Sequence, residues 1–172
     1  MANPLKPNPL IAVDTNVPLD LAEGKEDAFD ALAVIRRRLR PGRVLVPPTV
    51  FQELVYLTDH GDTPDERDRA RRALRSLAVW ELDLVNLVPV GHGIVERIAA
   101  AVMEARLIPA EEYNDALVLA EAGLLECAVL LSGDGHLRQL DFPKAMLVLK
   151  SFDVEMPIIA TPREIVAKFD RR

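Results

Sequence analysis

No apolar run in this chain approaches the roughly 20 residues that a membrane-spanning helix needs, which excludes a helical membrane protein. The N-terminal stretch 1–9 carries prolines at positions 4, 7 and 9 and lacks the long apolar segment of a signal peptide. We expect it to be a loose lead-in, and we expect the protein to be cytoplasmic with no membrane partner. Cysteine is almost absent. The single Cys127 rules out a disulfide framework and a cysteine-based zinc site. It lies in an apolar run, where a buried structural thiol is the natural reading. There is no internal repeat and no low-complexity linker, so the 172 residues read as one domain, 1–172. A basic excess is missing too: the formal net charge is −6. Proteins that grasp phosphates usually show a basic face. Here the basic residues are bunched instead, at Arg36, Arg37, Arg38, Arg40 and Arg43 and again between Arg67 and Arg75.

What is present is a real core, with 49% hydrophobic residues. Leu10, Ile11, Ala12 and Val13 form a short apolar run that ends at Asp14, and 44–46 form another that ends at Pro47-Pro48. Further strands are expected over 82–90 and 127–131, with shorter ones at 145–149 and 156–160. Helical periodicity covers 27–40, with Phe29, Leu32, Ile35 and Leu39 on one face and Pro41-Gly42 as the stop. Helices are also expected over 49–58, capped by Thr49, over 64–77 and 94–107, from Pro109 to about 123, and after Thr161-Pro162. Trp80 and Phe51 read as core. Short, continuous apolar strands alternating with helices imply a mainly parallel sheet covered on both faces. The expected fold is therefore a three-layer α/β/α sandwich.

In such sheets ligands bind beyond the carboxyl ends of the strands. Asp14 and Asp134 each follow a strand and should reach that edge. Glu53 and Asp115 are carboxylates on largely apolar helical stripes, with no Lys or Arg within one turn. Burying an ionised carboxylate without a partner is very costly. A metal ion is the simplest partner common to all four, and hard oxygen ligands favour Mg²⁺ or Mn²⁺. Each acid alone admits a plainer reading: an Asx turn at Asp14, a simple turn at Asp134, a solvated helix edge at Glu53, a helix-dipole acid at Asp115. The four together, brought to one edge, weigh about equally against those readings.

Ile11-Ala12-Val13-Asp14-Thr15-Asn16 resembles the opening motif of PIN domains. Val44-Leu45-Val46-Pro47 followed by Glu53-Leu54 resembles the second motif. Asn114-Asp115-Ala116-Leu117 resembles the third, and Leu131-Ser132-Gly133-Asp134, with His136-Leu137 after it, the fourth. The ordered set spans nearly the whole chain. The resemblance implies a metal-dependent ribonuclease whose acidic ligands are Asp14, Glu53, Asp115 and Asp134, binding one or two Mg²⁺ or Mn²⁺ ions. It also implies that Thr15, Asn16 and Ser132 orient carboxylates or water. Many bacterial members are VapC-type toxins that cleave RNA and are silenced by an antitoxin protein, and such domains often form homodimers. Arg36, Arg37, Arg40, Arg43 and His136 are candidate substrate contacts, while the arginines at 67–75 read as a solvated helix face paired with Asp65, Glu66 and Asp68. Two rivals remain at this stage. One is a haloacid-dehalogenase-type phosphatase, for which Asn16 stands where a second Asp is wanted. The other is a catalytically silent protein- or RNA-binding module.

Overall fold

The computed structural model describes residues 7–86 and 93–170. Strand β1 (Leu10–Val13) is followed by helices α1 (Asn16–Glu23) and α2 (Glu26–Val34), the latter running into a wider π-type stretch, Ile35–Leu39. Then come β2 (Arg43–Val46), α3 (Pro48–His60), α4 (Pro64–Ser76) and β3 (Leu82–Leu84). The second half contains α5 (Ile94–Glu104), α6 (Tyr113–Leu124), β4 (Cys127–Leu131) and the short α7 (Gly135–Arg138). It closes with α8 (Phe142–Lys150), β5 (Ile158–Ala160) and α9 (Pro162–Phe169).

All pairings are parallel, in the order β3-β2-β1-β4-β5. Ile11, Ala12 and Val13 at the centre are fully buried, as a strand covered on both faces must be. Helices cover the sheet, with α2 packed on α9, α1 and α3 on α4, and α5 on α6 and α8. The expected α/β/α architecture is the observed one. From β1 the chain builds outward through β2 and β3, then returns to place β4 on the other side of β1. The switch point therefore lies between the carboxyl ends of β1 and β4, the crevice where open sheets bind ligands. The Asp14 N–H donates to the Leu131 carbonyl at 2.9 Å, which ties the two strand ends together there.

Several local expectations are corrected. Residues 145–149 are not a strand but the core of α8. Its signal is Asp141-Phe142-Pro143, since the Asp141 side chain accepts from the Lys144 N–H at 3.1 Å and Pro143 sits in the first turn, where no N–H is needed. Helix α1 follows the same logic: Pro18 is tolerated because it lies in the first turn. Thr49 does not cap α3, which begins at Pro48. Nor does Pro109 open α6, which starts at Tyr113 after a turn closed by the Glu112 N–H on the Pro109 carbonyl, 3.0 Å. Strand β3 ends at Leu84, and 87–90 of its expected span lie outside the described residues. Phe51 is exposed on α3, whereas Trp80 is partly buried edge-on to Phe29. Cys127 is buried, and burial pushes its thiol up to about 12, so it is an inert core residue.

Candidate functional site

Asp14 leaves β1 with its side chain only 4% exposed. Burial raises its carboxyl above the ordinary value, opposed by the donors around it. Oδ1 accepts the Thr15 N–H at 2.7 Å, and Oδ2 accepts from Asn16 Nδ2 at 3.0 Å and from Ser132 Oγ at 2.6 Å. Three donors thus fix both oxygens, an arrangement suited to a carboxylate anion. Thr15 and Asn16 do more than flank the acid. The Thr15 hydroxyl donates to Glu53 Oε2 at 2.7 Å, linking β1 to α3, and Asn16 Oδ1 accepts the Gly133 N–H at 2.8 Å, linking β1 to the loop after β4.

Asp134 caps α7. Its Oδ1 accepts the N–H groups of His136 and Leu137 at 2.6 and 3.2 Å, and its own N–H donates to Ser132 Oγ at 3.0 Å. Ser132, fully buried, therefore serves Asp14 and the Asp134 loop at once. The cap leaves Oδ2 of Asp134 without a protein donor among the described residues.

Asp115 stands in the first turn of α6. Its Oδ2 is buried and has no hydrogen-bond partner. Burial first, and then the negative charges of Asp134, Asp14, Glu112 and Glu53, raise its carboxyl to about 8. The other three predicted acids all act on Asp115, so the structure brings the four into one electrostatic neighbourhood. A buried carboxylate oxygen without a donor, among like charges, is a site that calls for a cation. The donor set consists of hard oxygens, which fit a divalent ion such as Mg²⁺ or Mn²⁺. Among the described residues no three His, Cys, Asp or Glu side chains form a ready-made cage, so enclosing an ion requires the carboxylates to move toward it.

The arginines at 36–43 are not brought to the acids. Arg43 opens β2 opposite Leu10, whereas Asp14 follows Val13, so the strand length of about 13 Å separates them. Arg36 donates to the Trp80 carbonyl and pairs with Glu81 at 3.4 Å, Arg37 pairs with Asp170, and Arg43 pairs with Asp83 at 2.8 Å. Arg40 lines a hollow at that same amino edge. Contact between these four residues and a substrate held at the acids finds no support in this placement. On α4, Arg71 pairs with Asp68 at 2.9 Å, while Arg69 reaches Glu23 on α1 instead. His136 does stand at the site, its ring 3.8 Å from Glu112.

Sequence reasoning missed Glu121. It is 5% exposed and accepts from the Thr49 N–H and hydroxyl, the latter at 2.7 Å. This pins the start of α3 to α6, the two helices that carry Glu53 and Asp115. A second carboxylate on the apolar face of α6 was the available signal.

Comparison with known proteins agrees with this fold. No curated protein matches the sequence. A chain of the VapBC2 complex from Rickettsia felis, solved bound to a DNA fragment from its promoter, is similar in fold. The TM-score is 0.60 at 12% identity, over 88% of this chain and 98% of that one. The PIN domain family model matches residues 11–143, a span that holds all four acids. The chain belongs to the PIN domain family.

Proposed function

We propose that this chain is a divalent-metal-dependent endoribonuclease whose catalytic and metal-holding residues are Asp14, Glu53, Asp115 and Asp134. The family is one of nucleases that work with divalent ions, which supports the coarser half of the reading. The observation that carries the finer half is the buried Asp115 Oδ2, which has no hydrogen-bond partner and stands in the field of Asp134, Asp14 and Glu53. A bound Mg²⁺ or Mn²⁺ supplies an activated water and charge to stabilise the leaving oxygen of a phosphodiester.

The chain's own groups prepare for that chemistry. Thr15, Asn16 and Ser132 fix the oxygens of Asp14, and the donors from Ser132 and Thr15 favour its ionised form against the effect of burial. The Thr15 hydroxyl orients Glu53, and the α7 cap orients Asp134. Asp115, its carboxyl raised to about 8 by burial and by the neighbouring acids, would hold a cation in exchange for its proton.

The fold likeness to a chain of a VapBC2 complex supports a narrower form of the reading, in which the chain is a toxin silenced by an antitoxin protein. We assign a homodimer contact to the exposed face of α3 formed by Phe51, Val55 and Tyr56. Incubating the protein with a mixed RNA pool in Mg²⁺, Mn²⁺ or EDTA tests the nuclease. Cleavage should require metal and disappear in an Asp14→Asn/Asp115→Asn variant. A folded, partner-free protein that cuts nothing would leave a silent binding module as the better account.

A further inference from the structure

Beside the acids, the connection between α5 and α6, the short α7 and Gln139 line an open hollow of about 610 Å³. Leu107, Ile108 and Pro109 provide apolar walls, and Arg106, His136 and Gln139 stand among its polar groups. We propose that this hollow is a nucleobase pocket, which takes an unpaired base of the RNA strand next to the phosphate bound at the acids. The proposal rests on the ribonuclease reading and adds a specificity site to it.

Position is the first argument. The connection leads into the first turn of α6, where Asp115 lies, and α7 is the helix capped by Asp134. His136 belongs to both places: it lines the hollow, and its backbone N–H donates to Asp134 Oδ1 at 2.6 Å. A strand whose phosphate sits at Asp115 and Asp134 therefore has this hollow beside it, joined to the acids through His136.

Size and chemistry are the second argument. The volume falls in the roughly 300–1,000 Å³ range of small-ligand pockets. Apolar walls suit the faces of a base, and unpaired bases are the parts of RNA that proteins read by side-chain contact. The Gln139 amide offers a donor and an acceptor side by side, the pattern that matches a base edge. Arg106 is exposed at the hollow, where its guanidinium can stack on a base or meet the adjoining phosphate. A cation placed there also counters the repulsion that an acidic chain exerts on an anionic strand.

The test uses fluorescein-labelled single-stranded RNA hexamers of A, C, G or U. Their binding to the full chain is read by anisotropy in Ca²⁺, and their cleavage is read in Mn²⁺. Ala110→Trp fills the hollow from an exposed position, and Gln139→Ala removes the amide. Both are checked for folding by circular dichroism. The wild-type chain should favour one base, and each variant should lose that preference and about tenfold in affinity for the favoured hexamer. Unchanged affinity and preference in both variants would overturn the pocket and leave the nuclease standing. A wild-type chain that neither binds nor cuts any hexamer would overturn both.

Discussion

Asp115 is a residue whose chemistry the surrounding protein alters. Its carboxyl is raised from 3.8 to about 8, chiefly by burial and then by its acidic neighbours. In the metal-free protein this makes stability pH-dependent with a definite sign. Below about pH 4 both folded and unfolded chains carry the proton, and the contribution to stability is full. Between about 4 and 8 only the unfolded chain has ionised, so stability falls as pH rises. Melting temperature without metal should therefore drop across that window, and Asp115→Asn should flatten the slope while abolishing cleavage. Added Mn²⁺ should restore wild-type stability near pH 8 but not that of the variant. Ser132 makes the complementary case, because its hydroxyl lowers the carboxyl of buried Asp14 that burial raises. Ser132→Ala should cost about 1–3 kcal/mol in urea unfolding, as expected for a lost hydrogen bond to a charged group. It should also weaken Mn²⁺ binding, since Asp14 then gives up its proton less readily. That the four acids come near one another was legible from the sequence, because each follows a strand or lies on an apolar helical stripe. The arginines at 36–43 were not, because a cluster in sequence says nothing of which sheet edge it occupies.

At the scale of elements, the acid-bearing helices are set by contacts that carry no chemistry of their own. Gly123 near the end of α6 faces Val154, and a Cβ added there would stand 2.6 Å from Val154 Cγ1. Gly123→Ala should destabilise the fold by about 1–3 kcal/mol through overpacking, and Val154→Ala should recover most of it, as read by urea midpoint. The parallel strands of the core were readable from their short, unbroken apolar runs. Helix α8 was not, since Ala145-Met146-Leu147-Val148-Leu149 is as apolar as a buried strand and only its cap and proline distinguish it. Helix α6 was misplaced at its start because Pro109 suits a first helical turn as well as the tight turn it makes here. The tie between Thr49 and Glu121 joins residues 72 apart in sequence, and periodicity does not report such pairs.

For the whole molecule, the account separates two ends of one sheet. The carboxyl edge carries the acids, His136 and the hollow next to them, while the amino edge carries Arg40 and the pairs Arg36–Glu81 and Arg43–Asp83. Arg43→Glu should thus leave the cleavage rate within about twofold, the small effect expected of a surface change away from the chemistry; a loss comparable to that of Asp14→Asn would contradict the division. The fold and the family assignment rest on the sheet order and on the match across 11–143, and both are independent of any ion. Asp14, Glu53, Asp115 and Asp134 are proposed to hold a divalent cation together. The most direct test is calorimetric titration of Mn²⁺ into the protein near pH 7, in buffers of different ionisation enthalpy, beside the Asp115→Asn variant. The account predicts saturable binding with net proton release in the wild type, and weakened binding with less proton release in the variant. Absence of Mn²⁺ binding by the folded protein, or equal binding and proton release in both, would contradict it.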